Sequence, residues 1–404
     1  MGKLKSFFVN FNENKEVYLP GENVSGSVIA DLSEPMKLRA LRIEFRGKAH
    51  VHWTETYSDG KNTHTRHYRG EEDYFKHSVS VYGKESGGNF ENSKELPSGE
   101  SVFPFQFQLP MNLPSSFEGR HGYVRYYVKA TIDKPWKFNH NTKRAFTVLD
   151  MIDLNENPNA KVPSTANGSK NLCCLCCASG PIQAEVQLDR TGYVPGEFFL
   201  INANVENGSN KDLAKTSAAL VQQVKFKATS KSKRVSETVA EISGAGVRGR
   251  QSIQWSNERL QIPAIPPSML RHCGIIIITY QLQFSVAVPG PRFNLTVNVP
   301  VEIGSVPLQG LTPYNMPAVA AAPTTFQSEV PPVASSSGLP PPEQPSAPAY
   351  EPPPPSYAAV YSGTTDIRDN DDNDHLMGER SFAPQYAYYD WSQSAFTYTN
   401  PSYK

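Results

Sequence analysis

Over most of the first 305 positions, apolar and polar residues alternate with a period of two, the signature of strands with one face buried and the other solvated. LRIEF sets Leu41, Ile43 and Phe45 on one face. VFPFQFQL does the same for Phe103, Phe105, Phe107 and Leu109, and VRYYVKATI for Val124, Tyr126, Val128, Ala130 and Ile132. The longest run, FNLTVNVPVEI, carries Phe293, Leu295, Val297, Val299, Val301 and Ile303 in alternation. No convincing amphipathic helix interrupts this stretch, so the pattern predicts an all-β chain built of sandwiches.

An internal repeat sets their number. VYLPGENVSGSV at 17–28 returns as GYVPGEFFLINANV at 192–205, with Tyr18/Tyr193, Pro20/Pro195, Gly21/Gly196 and Glu22/Glu197 in register. Pro-Gly between two apolar runs suits a tight turn, because proline presets its φ and glycine accepts a positive one. VRYYVKATI at 124 and ITYQLQFSV at 278 form a second matching pair, each preceded by a proline-marked segment, LPMNLP at 109–114 and IPAIPP at 262–267. Two copies of one sandwich are expected, over 5–150 and 180–305. Between them, 151–179 reads as a polar linker, NENPNAKVPSTANGSKN, that ends in a cysteine cluster.

After 306 the alternation stops. Residues 306–404 hold 17 of the 34 prolines and the acidic run DIRDNDDND. With 3 basic and 10 acidic residues, this segment carries −7 against +7 for the rest, and the whole chain is neutral. So little apolar surface cannot offset the entropy of ordering, and a disordered Pro-rich tail is expected. It reads first as a solvated linker, with contact on a basic domain face as the alternative.

The neutral balance of 39 basic and 39 acidic residues argues against nucleic acid as a partner. The N-terminus lacks the apolar stretch of a secretory signal, and no segment has the length of a membrane helix. Four of the five cysteines crowd into CCLCC at 173–177 and give no spaced disulfide framework. A cytoplasmic protein is expected.

Taken in order, YLPGENVSGSV, LPSSFEGRHGYVRYYVKA, CCLCCASGPI, GYVPGE, GSVPL and PPPPSYAAV resemble the arrestin-domain-containing proteins, or α-arrestins. The resemblance is to the animal branch that includes the thioredoxin-interacting protein. It covers residues 5–308 and resumes at the proline motif. It implies two tandem arrestin-type, immunoglobulin-like β-sandwiches and a flexible tail. It also implies an adaptor that brings Nedd4-type HECT ubiquitin ligases to membrane cargo, receptors or transporters, for ubiquitination, endocytosis and endosomal sorting. Two departures stand out. The position where a cysteine follows the ISG turn in the thioredoxin-interacting protein is Gly246 here, and the paired phosphate-sensing lysines of receptor-binding β-arrestins are replaced by the separated Lys3 and Lys5.

Within the tail, Pro354, Pro355 and Tyr357 complete a Pro-Pro-X-Tyr motif. A polyproline segment docks into the aromatic groove of a WW domain at low entropic cost, while the tyrosine fixes the register. APQY at 383–386 has lost a proline. Pro345, Ser346, Ala347 and Pro348 match the PSAP pattern read by ESCRT-I, and NPSY at 400–403 fits a phosphotyrosine-binding-domain turn. Cys173, Cys174, Cys176 and Cys177 are candidates for lipidation and hence for peripheral membrane association, with an apolar strand start as the plainer reading. Cys273 reads as core.

His50, His52, His64, His67 and His77 cluster about an expected hairpin tip at Asp59-Gly60, as alternating exposed residues or a metal set. Arg39, Arg42, Arg46 and Lys48 fall on the polar side of their strand and read as a solvated face. No catalytic triad, phosphate loop or zinc motif appears, and no cofactor or metal is expected. The functional expectation is therefore an adaptor, not an enzyme, recruited to plasma membrane and endosomes. Its alternative is a ligase-independent arrestin-fold scaffold or retromer-like trafficking protein.

Overall fold

Alternation becomes strand wherever a second sheet is available to cover the apolar face. The computed structural model describes residues 3–83, 94–135, 138–171, 173–174, 177–178, 180–288, 294–310, 355–360, 363–368, 372 and 376–391. The first domain holds β1 (Leu4–Phe11), β2 (Val17–Tyr18), β3 (Asn23–Leu32), β4 (Met36–Leu38), β5 (Ala40–Ser58), β6 (Thr63–Gly83), β7 (Lys94–Leu96), β8 (Gly99–Gln108), β9 (Phe117–Gly119), β10 (Gly122–Asp133) and β11 (His140–Val148). One sheet runs β1-β3-β8 and the other β2-β11-β10-β5-β6. Between them lie Phe7, Phe11, Val28, Phe45, Tyr126 and Phe146, all buried. Phe11 and Tyr18 meet Phe146 edge-on at 5.8 and 5.4 Å, a favoured aromatic arrangement.

The second domain repeats the plan with β12 (Ser164–Lys170), β13 (Cys173–Cys174), β14 (Cys177–Ala178), β15 (Ile182–Leu188), β16 (Gly192–Tyr193), β17 (Phe198–Asn207), β18 (Thr216–Lys227), β19 (Ser232–Gly244), β20 (Ser252–Gln261), β21 (Ile276–Val286) and β22 (Leu295–Ile303). Its sheets run β12-β15-β17-β20 and β16-β22-β21-β18-β19. β22 alternates buried and open positions as its sequence does, although Phe293 lies outside the described residues.

The repeat is physical, not only textual. In each copy the Pro-Gly glycine has a positive φ, 85° at Gly21 and 97° at Gly196. The following glutamate closes the turn on its own backbone: Leu19 N donates to Glu22 at 2.9 Å, and Val194 N to Glu197 at 2.9 Å. On the matching central strands, Tyr126 Oη donates to Pro114 O and Tyr280 Oη to Pro266 O, both at 2.7 Å and both buried.

The two domains touch directly. Arg271 grips Asp150 through two 2.8 Å bonds, Lys231 meets Glu55 at 2.6 Å, and Thr229 N donates to Arg69 O at 3.2 Å.

Three expectations are corrected. The segment 151–179 is not linker throughout, because β12 pairs antiparallel with β15 over seven positions as an edge strand. STANGSK has no apolar period to betray this, and an edge strand needs none when its backbone does the pairing. Lys48 is buried on the polar side of β5, not solvated, while Arg42 and Arg46 are half-buried and paired with Asp133 and with Asp73 and Glu71. Finally, the described part of 306–404 is not a free tail. It forms β23 (Ser356–Ala359), β24 (Thr365–Asp366), β25 (Leu376–Gly378), β26 (Ser381–Phe382) and β27 (Gln385–Tyr388), with Ile367, Leu376, Tyr386 and Trp391 buried.

Candidate functional site

The outer face of the β10–β11 pair carries Arg125, Tyr127, Lys129, Lys143 and Ala145, a basic surface with apolar patches. Charged residues on an outward face normally stay in water, yet here a third layer covers them. Ile367 and Phe382 pack on Tyr127 and Ala145. The carboxylate of Asp372 sits between two ammonium groups, 2.6 Å from Lys129 Nζ and 2.9 Å from Lys143 Nζ. Lys143 Nζ also donates to Ile367 O at 3.0 Å and lies 4.2 Å from the centre of the Tyr127 ring. These contacts together replace the water that a buried ammonium loses. Arg125, held bidentate by Glu118 at 2.7 and 2.8 Å, reaches Asp366 O at 3.5 Å.

Backbone pairing extends this contact. β25 adds in parallel to the edge of β11, Leu376 opposite Asn141 and Gly378 opposite Lys143. Gly378 has φ 91°, and a Cβ there would lie 2.6 Å from Thr142 Oγ1, so this close approach needs a glycine. Through Asp372 the acidic run therefore meets a basic domain face, the alternative to a solvated linker.

Further on, the tail crosses the domain junction. Tyr386 Oη donates to Ser116 O at 3.0 Å in the first domain. Three residues later Tyr389 N donates to Pro195 O at 3.1 Å and Tyr389 Oη to Ser305 O at 2.7 Å in the second. Trp391 stacks on Tyr389 at 5.7 Å and is buried with Leu154, Val194 and Leu308. Gln261 Nε2 donates to Tyr388 Oη at 3.0 Å, and Gln385 N to Thr147 Oγ1 at 3.1 Å.

The sequence-predicted residues fall unevenly across this structure. Tyr357 lies in β23 opposite Ala387 of β27, and the residue is 45% exposed. Pro355 precedes the strand and is half-buried, while Pro354 lies outside the described residues. Pro345, Ser346, Ala347 and Pro348 lie outside them too, as does NPSY at 400–403. The tyrosine of APQY is Tyr386, the buried anchor of β27. Cys173–Cys174 and Cys177–Ala178 pair as the short hairpin β13–β14. Cys176 and the side chains of that hairpin lie outside the described residues.

Cys273 is a free thiol, half-buried at the domain junction, and burial pushes its pKa up. A Cβ at Gly246 would collide with Leu213 O, so the turn has no room for the cysteine of the resembling branch.

The histidine hairpin forms as expected. Asp59 Oδ1 accepts from Lys61 N and Asn62 N at 3.2 and 2.9 Å, and Gly60 has φ 93°. His52 and His67 come within 3.3 Å, but among the described residues no group of three or more His, Cys, Asp or Glu is placed to hold a metal. Sequence reasoning missed Ile367, Asp372, Leu376, Tyr386, Tyr389 and Trp391. Their signal is faint, a few large apolar residues scattered about an acidic run.

Two sandwiches in tandem, related by an internal repeat and clasped by their own tail, define a two-domain protein of the arrestin type. Residues 7–155 match the arrestin (or S-antigen) N-terminal domain, and residues 178–308 its C-terminal domain. The chain is 33% identical over 323 residues to arrestin domain-containing protein 17 of Caenorhabditis elegans, covering 76% of this chain and 72% of that protein. It is 32% identical to mouse arrestin domain-containing protein 1 over 82% of this chain and 71% of that one. To human arrestin domain-containing protein 4 it is 32% identical over 78% and 74%. The chain belongs to the arrestin-domain-containing family.

Proposed function

We propose that this protein recruits a Nedd4-type HECT ubiquitin ligase to membrane receptors or transporters, with Pro354, Pro355 and Tyr357 as the WW-domain ligand. The observation that carries this reading is the Pro-Pro-Ser-Tyr motif on a chain of two arrestin domains. The mechanism is proximity: one tethered motif raises the local concentration of ligase at bound cargo, and no bond is made or broken by the adaptor. Cargo is held by the sandwiches. Pro345, Ser346, Ala347 and Pro348 add an ESCRT-I contact for endosomal sorting, and acylated Cys173, Cys174, Cys176 or Cys177 would hold the cytoplasmic protein at plasma membrane and endosomes.

The test is titration calorimetry of a peptide of residues 340–365 against a Nedd4-family WW domain. Saturable binding that Tyr357→Ala removes supports the reading; a wild-type peptide that does not bind rejects it. A second reading, a ligase-independent or retromer-like scaffold, is favoured by the docking of the tail itself, since a brace would be useful without a ligase. Cargo ubiquitination that persists in Tyr357→Ala would favour it.

A further inference from the structure

Tyr357 is less available than its motif suggests. A WW domain receives an extended polyproline segment and takes the tyrosine ring into a pocket of its own, which requires the segment to be open around the ring and along its backbone. Here Ser356–Ala359 is one strand of an antiparallel pair, with Ser356 opposite Tyr388, Tyr357 opposite Ala387, Ala358 opposite Tyr386 and Ala359 opposite Gln385. Contacts beyond this ladder hold both of its ends: Ser356 Oγ donates to Tyr388 O at 3.0 Å, and Val360 N to Pro384 O at 2.9 Å. Val360 packs against the small cluster of Val17, Leu149 and Tyr386.

The partner strand is fixed to both domains. Tyr386 holds Ser116 on one side, and Tyr389 holds Pro195 and Ser305 on the other. The burial of Tyr386, Tyr389 and Trp391 makes β27 part of the domain surface, whereas β23 lies on it with Tyr357 at 45% exposure.

We propose that β27, with its anchors Tyr386, Tyr389 and Trp391, is a strap that closes the ligase motif: a WW domain binds Tyr357 only in molecules in which β23 has left β27. The proposal rests on the ligase reading above and adds its regulation. The apparent affinity of the full chain is then the affinity of the open motif multiplied by the fraction of molecules that are open. Because the strap bridges the domains, the coupling is reciprocal: whatever parts Ser116 from Ser305 opens the motif, and a bound WW domain weakens the bridge.

The experiment compares three species by calorimetry against one Nedd4-type WW domain: a peptide of residues 350–365, the full chain, and the full chain with Tyr386→Ala and Tyr389→Ala. The full chain is expected to bind about tenfold or more weakly than the peptide, as for a motif open in a tenth of molecules or fewer. The double variant is expected to recover the peptide's affinity while keeping the wild-type circular dichroism. Should that variant fold poorly, Trp391→Ala releases the same strand from the second domain alone. Amide exchange supplies the structural readout, with the 356–359 amides slow in the wild type and fast in the release variant. Equal affinity of peptide and wild-type full chain overturns the strap and leaves the ligase reading standing. A peptide that does not bind overturns both, even with slow exchange at 356–359.

Discussion

Asp372 and Lys143 meet at 2.9 Å with both side chains only 1% exposed, although 229 positions separate them in the chain. Buried pairs of this kind are weak evidence of net stability, but removing one partner strands the other, at a cost of about 3–5 kcal/mol. The docked tail can escape that cost by leaving. Asp372→Asn is therefore expected to free β25 from β11 while the sandwiches stay folded. Amide exchange at Leu376–Gly378 should accelerate, with little change in the main thermal transition. Unchanged protection there would mean that the apolar contacts of Ile367 and Leu376 suffice.

The paired tyrosines of the central strands make a second prediction. Tyr126→Phe leaves Pro114 O buried without its donor, and loss of one such bond costs about 1–3 kcal/mol. Tyr280→Phe should cost more, because Gln222 Nε2 also donates to Tyr280 Oη at 2.7 Å and would lose its acceptor. Denaturant titration of the two single variants decides the order.

The two turn glutamates should respond to acid in different windows. At Glu22, burial raises the carboxyl pKa, but the Leu19 N–H and the Lys15 ammonium outweigh it, so the group ends below its usual 4.5. Its stabilisation is complete above 4.5 and is lost as the pH falls through the lower folded value. At Glu197, burial is the largest influence and wins over Arg190 and the Val194 N–H, leaving the pKa above 4.5. There the folded state binds its proton first, so this group's contribution improves as the pH falls through the folded value toward 4.5. Melting profiles of Glu22→Gln and Glu197→Gln should therefore depart from wild type in slope below 4.5 and above it, respectively. The Glu22 effect is a few tenths to about 1 kcal/mol, because its side chain is partly solvated.

Gly21 and Gly196 occupy the same turn, yet only one touches the tail. Replacing either by alanine places a side chain at positive φ, which costs about 1–2 kcal/mol. At Gly21 the new methyl meets the flexible end of Met111, but at Gly196 it meets the backbone of Tyr389. Gly196→Ala should therefore also expel the Tyr389–Trp391 segment. Limited proteolysis after residue 380 should be faster in that variant and unchanged in Gly21→Ala.

The sandwiches were legible because their information is local. Val124, Tyr126 and Val128 announce a strand and its core face in five residues, although the tail buries the opposite face as well, and the Tyr-X-Pro-Gly-Glu turn announces its own copy. β12 was not, because Ser164–Lys170 contributes backbone rather than apolar side chains to its sheet. Nor was the clasp. Asp372 reads as one more acid in a polar run, and what makes it an anchor is Lys129 and Lys143, more than two hundred positions away. Tyr386 and Tyr389 likewise occupy a stretch with no strand period long enough to notice.

The spacing of those two tyrosines also sets a limit on motion. Three residues of extended chain span at most about 11 Å, so the points that Tyr386 and Tyr389 hold on the two domains can part only within the slack of that short leash. A swing of one sandwich against the other beyond it must break the Ser116 bond or the Ser305 bond. The stretch from Tyr386 to Tyr389 thus works as a mechanical fuse, set to a length written in three residues.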